Sequence, residues 1–69
     1  MKTNMDKLRG KIIEKRLTQE ELANHIGMDS STFSRKMKAD GLAFTVGQIH
    51  RIVATLEMTP EEAAQIFFQ

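Results

Sequence analysis

The sequence predicts an all-α domain, a compact five-helix bundle, and three observations carry that expectation. Apolar residues recur at helical spacing, helix-start signatures return along the chain, and no stretch alternates apolar and polar residues with the β-branched enrichment of a strand. With 69 residues and no linker, repeat or low-complexity tract, the chain reads as one domain over 1–69. A core of that size supplies only about 3–5 kcal/mol by itself.

Met5, Leu8 and Ile12 share one helical stripe with Ile13 beside it, so a first helix is expected near 4–15, weakly capped at its start. Thr18-Gln19-Glu20-Glu21 has the form of a capping box, in which the threonine hydroxyl accepts from the third-position N–H and the glutamate reaches back to the cap's own N–H. Leu17 and Leu22 flank it as a hydrophobic staple, and a second helix follows over 19–26. Gly27 ends that helix, because glycine takes the left-handed backbone at low cost. Asp29 caps a third helix over 30–38, with Ser30 as an alternative cap and Met28 and Phe33 in the staple positions. Asp40-Gly41 marks a turn in the connection between Lys38 and Phe44. Boxes return at Thr45-Val46-Gly47-Gln48, opening a helix over 46–57, and at Thr59-Pro60-Glu61-Glu62, opening one over 60–67 with proline at its favoured first position.

Composition narrows the function classes. Cysteine is absent, which removes disulfides, thiolate ligands and a thiol nucleophile. His25 and His50 have no neighbouring ligand pattern, so no metal is expected. Glu61 and Glu62 lie in the first turn of a helix, where negative charge suits the dipole better than catalytic pairing. No nucleophile, base and orienting group form a set, so the chain is not expected to be an enzyme, to carry a cofactor or to take a small-molecule substrate. No apolar run approaches the roughly 18 residues of a membrane span. The expected location is the cytoplasm. Met5, Met28, Met37 and Met58 read as core filler.

The formal charge of +1 hides an asymmetry. Up to Lys38 there are nine basic residues against five acids, and from Ala39 onward Arg51 alone faces Asp40, Glu57, Glu61 and Glu62. A polarised molecule of this kind permits a polyanionic partner.

The informative segment runs from Thr18 to Lys38. Two short helices separated by Gly27-Met28-Asp29 must cross steeply, as in a helix-turn-helix. Leu22, Ala23, Ile26, Met28, Phe33 and Met37 are spaced to face one shared core, and Ala23 is small where the helices approach. Ser30, Ser31, Thr32, Ser34, Arg35 and Lys36 are then left as an outward surface of hydroxyls and cations.

Gln19, Leu22, Ala23, Gly27, Met28, Asp29 and Phe33 follow a pattern that resembles the helix-turn-helix domains of phage lambda-type repressors and Cro proteins. One departure stands in helix 30–38: Lys36 occupies a place often apolar in that family, and Met37 takes over the inward role four residues after Phe33. The resemblance implies a lambda-repressor-like fold and a regulator of transcription that binds a double-stranded DNA operator. Helix 30–38 would enter the major groove, with Ser30, Ser31, Thr32, Ser34 and Arg35 as base-reading candidates and Arg35 donating to guanine. Gln19 matches the family glutamine that contacts a phosphate, and Lys36, Lys38, Lys15 and Arg16 are candidates for further phosphate contacts.

Ile66, Phe67 and Phe68 are three consecutive large apolar residues that cannot all point inward. Since related repressor domains often pair through this region, the resemblance implies a weak homodimer using them. A second function class fits the low net charge, the serine-rich helix and this apolar C-terminus: a helix-turn-helix fold used as a protein-interaction module that binds and modulates a repressor.

Overall fold

In a computed structural model, which describes residues 3–41 and 43–68, the chain forms five α-helices and, among the described residues, no strand. They are α1 (Met5–Glu14), α2 (Gln19–His25), α3 (Ser30–Lys38), α4 (Val46–Thr55) and α5 (Pro60–Phe67). Among the described residues, no helix is long and apolar enough to cross a membrane.

Each helix starts where a side chain meets a backbone donor that the helix itself leaves unpaired. Thr18, Thr45 and Thr59 form full capping boxes with Glu21, Gln48 and Glu62. Asp29 caps α3 by accepting from the Ser31 N–H at 3.0 Å. The start of α1 is better held than its sequence predicts, because the Asn4 carboxamide accepts from the Lys7 N–H at 3.0 Å.

The ends of α1 to α4 share one device. Arg16, Gly27, Asp40 and Glu57 take left-handed backbone, with φ of 60°, 72°, 60° and 52°. The N–H of the next residue then reaches back to a carbonyl in the last turn: Leu17 to Ile12 at 3.1 Å, Met28 to Ala23 at 2.9 Å, Gly41 to Lys36 at 2.8 Å and Met58 to Val53 at 3.0 Å. Leu17, Met28 and Met58 follow their left-handed residues and pack on the core. This winding explains why α1, α2 and α4 stop at Glu14, His25 and Thr55, short of the ends expected from periodicity.

The core gathers from all five helices and from the connections between them. Leu8, Leu22, Ala23, Phe33, Ile52 and Leu56 are fully buried, and the Phe33 and Phe44 rings meet in a tilted arrangement with centroids 5.5 Å apart. α2 packs most extensively on α3 and also touches α1 and α4, while α1 packs on α5. The α1–α5 seam carries polar ties as well. The Asn4 N–H donates to the Ile66 carbonyl at 2.6 Å, Lys7 donates to Gln65, and Lys11 pairs with Glu62 at 2.5 Å and with Glu14 at 2.8 Å.

Gly41 follows Asp40 in a second left-handed conformation, with φ of 70°, and a Cβ there would lie 2.8 Å from Met5 Cε. Gly41→Ala is therefore expected to cost about 1–2 kcal/mol, chiefly through left-handed backbone strain, with the end of the Met5 side chain shifting to make room. Glu57→Gly should instead gain about 0.5–1 kcal/mol, since relief of the left-handed strain exceeds the added freedom of the unfolded chain. Urea unfolding midpoints test both signs.

The ion pair makes stability depend on pH. The Lys11 ammonium, followed by the Thr59 N–H, holds the Glu62 carboxyl down at about 2 against its ordinary 4.5, and Lys11 is raised above 10.5 by Glu14 and Glu62 in turn. A carboxyl depressed by folding stabilises above its unfolded value, so this contribution is present above pH 4.5 and is lost as pH falls through about 2. Lysine's contribution runs the other way, present below 10.5 and lost as pH rises through its raised value. Glu62→Gln keeps an oxygen for the Thr59 cap but removes the charge, and urea titrations should show a shallower acid loss of stability over that window than the parent.

Candidate functional site

The exposed face of α3 carries hydroxyl and cationic side chains, and it follows from how the helix is anchored. Phe33 and Met37, one turn apart, are buried in the core at 0% and 1% exposure, which sets the rotation of the helix. Residues on the opposite side must then face solvent. Ser31, Arg35 and Lys38, spaced by four and three residues, form that exposed line. Thr32 lies half-buried at its margin, and the Arg35 guanidinium donates from Nη2 to Thr32 Oγ1 at 3.2 Å.

The other expected reading residues fall elsewhere on the helix. Ser30 and Ser34 are half-buried beside the Phe33–Met37 stripe, so the outward surface is narrower than the run of hydroxyls in the sequence suggests. Lys36 is half-buried, and its ammonium donates to the Ala43 carbonyl at 2.7 Å, tying α3 to the loop before α4. The rotation that brought Met37 inward turned Lys36 toward this loop. Lys38 is exposed and stands with Arg35 and Lys36 in the last turn, where positive charge complements the helix dipole.

At the other end of α3 sits a carboxylate. Asp29 is exposed and accepts from both the hydroxyl and the N–H of Ser31. The Ser31 hydroxyl first, then the Ser31 and Thr32 backbone N–H groups and the Arg35 charge, hold its carboxyl below the ordinary 3.8. It is fully ionised near neutrality.

The remaining candidates precede α3. Gln19 is the first residue of α2 and is half-buried next to the Thr18 cap. Lys15 is the residue that closes α1, and exposed Arg16 follows it in left-handed backbone. Lys15 and Arg16 belong to the α1–α2 connection and Gln19 to the first turn of α2, none of them to the exposed line of α3.

The C-terminal triplet needs a correction. Ile66 and Phe67 are each 1% exposed, buried in this chain's own core, and are not available to a second copy. Both fit inward because the Asn4 N–H fixes the α1 end of the chain against the Ile66 carbonyl, closing α1 over α5. Phe68 is left 55% exposed, beside a shallow apolar groove of about 170 Å³ lined by Val46, Ile49, His50, Val53 and Ala63.

Arg51 is a residue that sequence reading did not single out. Its guanidinium donates from Nη1 to the Ile26 carbonyl at 3.2 Å, across 25 positions of sequence, and so braces the end of α2 where the chain turns toward α3. A lone basic residue on an acidic half was the only signal, and nothing in its neighbourhood points to Ile26. His25 lines a shallow polar depression with Glu21 and Asn24, and among the described residues no group of three or more His, Cys, Asp or Glu could hold a metal.

Arg51→Met keeps much of the stem and removes the donor. It is expected to cost about 1 kcal/mol, the net worth of a charge-assisted hydrogen bond at a helix end. Amide hydrogen exchange should speed up most over residues 26–29, and uniform acceleration across all five helices would contradict a local brace.

A family model described as "Protein of unknown function (DUF739)" matches residues 1–69. No curated protein and no solved structure matches the chain. Since the match spans its whole length, this chain belongs to the DUF739 family, whose function its description leaves open.

Proposed function

We propose that this protein is a sequence-specific regulator of transcription that binds double-stranded operator DNA in the cytoplasm, as a phage or prophage repressor of the Cro kind, without cofactor or catalysis. α2 and α3 act as the helix-turn-helix, with α3 in the major groove and α2 crossing the backbone. The observation that carries this reading is the line Ser31, Arg35 and Lys38 on a helix whose opposite side is locked into the core by Phe33 and Met37. A rigidly seated helix of nine residues matches the dimensions of the groove, and its side chains supply donors and acceptors at base edges with a cation for the phosphates. The sequence resemblance to lambda-type repressors and Cro proteins supports the same assignment. Lys38, Gln19, Lys15 and Arg16 are the residues offered to phosphate, and Lys36, engaged with the Ala43 carbonyl, contributes charge and loop order more than a free contact.

One observation favours a second reading, a protein-interaction module that binds a repressor: exposed Val46 and Phe68 flank the apolar groove between α4 and α5. A homodimer through Phe68 would use the same face.

Selection from random-sequence duplexes at stated salt separates these readings. Enrichment of a defined site is expected, with Arg35→Ala costing about 1–3 kcal/mol at one base position and Lys38→Ala weakening all sequences while lowering the salt slope by about one. No enrichment at low salt, together with a stable heteromeric partner, would replace the DNA reading with the interaction module.

A further inference from the structure

Two hydrogen bonds on the exposed face of α3 have directions that chemistry alone dictates. An ionised carboxylate has no hydrogen to give, so in the pair between Asp29 and the Ser31 hydroxyl it is serine that donates. A guanidinium has no lone pair to offer, so in the pair between Arg35 and Thr32 the threonine oxygen accepts. Asp29 is ionised at neutral pH, and the Ser31 hydroxyl first, then the Ser31 and Thr32 N–H groups, hold its carboxyl below its ordinary value.

The consequence is a fixed polarity for the Ser31 hydroxyl. Ser31 spends its hydrogen on Asp29 and turns only lone pairs outward, whereas Thr32 receives from Arg35 and keeps its hydrogen free. Serine and threonine are ordinarily indifferent readers, since a free hydroxyl rotates to suit either a donor or an acceptor. Here that freedom is gone from Ser31, while Thr32 keeps its hydrogen and one lone pair.

Resting on the DNA-binding reading above, we infer that Asp29 makes Ser31 an acceptor-only reader, which selects a base presenting an exocyclic amine in the major groove, adenine N6 or cytosine N4. Guanine and thymine present acceptors there, O6 and N7 or O4, and leave Ser31 with lone pair facing lone pair. Thr32 and Arg35 form the complementary half: both offer hydrogens, and together they suit the acceptor edge of guanine. Asp29 is thus a specificity-determining residue that acts through Ser31 while capping the helix. Its charge also discourages a phosphate at that end of α3, which keeps the serine directed at bases.

The test uses the full chain and random-sequence duplex selection, followed by binding to the selected site with single-base variants. The parent should prefer adenine or cytosine at one position by about fivefold, the discrimination a single hydroxyl hydrogen bond supplies. Ser31→Ala should abolish that preference and leave the others, while Ser31→Thr should restore it. Asp29→Gly, which removes the oxygen that accepts from both the Ser31 N–H and its hydroxyl at a position where glycine is a tolerated cap, should free the hydroxyl to rotate and admit guanine or thymine there with little loss of thermal stability. Replacing adenine by purine, which lacks the N6 amine, should weaken the parent by the same factor and leave Ser31→Ala unchanged.

Selected sites whose base preferences are identical for the parent, Ser31→Ala and Asp29→Gly would overturn the inference while leaving DNA binding intact. Failure of the parent to select any duplex would overturn the DNA-binding reading itself, and this inference with it.

Discussion

The burial of Phe33 and Met37 against the core is the contact on which the arrangement of this molecule turns. It fixes not only where α3 lies but how it is rotated, and every statement about which side chains the helix presents to solvent descends from that rotation. Neighbouring features all serve to hold it. Phe44 closes over Phe33, Asp29 secures the first turn, and Lys36 ties the side of the helix to the following loop. Large aromatic side chains bury more area per contact than the polar ties, so the tilted ring pair sets position and the hydrogen bonds refine it.

A chain this short gains little from its core, and it compensates with economy at the helix ends. Short helices have a high proportion of backbone groups without intrahelical partners, since four N–H groups and four carbonyls are left over whatever the length. Here five side-chain caps meet donors at the starts, and four left-handed windings meet carbonyls at the ends. Three of those windings fall on Arg16, Asp40 and Glu57 in place of glycine. The fold tolerates the strain because the residue after each winding is itself placed to advantage: Leu17 and Met58 go into or onto the core, and Gly41 admits Met5.

Polar ties divide into two sets with different purposes. Along α1 and α5 they stitch one helix pair, with Lys11 and Glu62 flanked by the Asn4 and Lys7 bonds. Around the α2–α3 turn they brace geometry, with Arg51 holding the Ile26 carbonyl and Asp29 ordering Ser31. Only the second set includes residues at the exposed face of α3. A carboxylate and a guanidinium on that surface, each engaging a hydroxyl, give this face more chemical definition than its composition suggests.

The sequence by itself determined the helical class, the number of helices and nearly all their starts, because caps and staples act within four or five residues and are written locally. It also determined which residues of α3 face inward, since burial at i and i+4 is a property of the helix period. What only the tertiary structure decided lies at longer range. Ile66 and Phe67 both find space inside because α1 closes over α5, leaving Phe68 outside. Lys36 leaves the presented face for a loop carbonyl, and Arg51 finds its acceptor 25 residues away. The helix ends at Arg16 and Glu57 carried no glycine to announce them. A residue's local pattern specifies its direction on a helix, but whether space or a hydrogen-bond partner waits there depends on elements that meet only when the chain has folded.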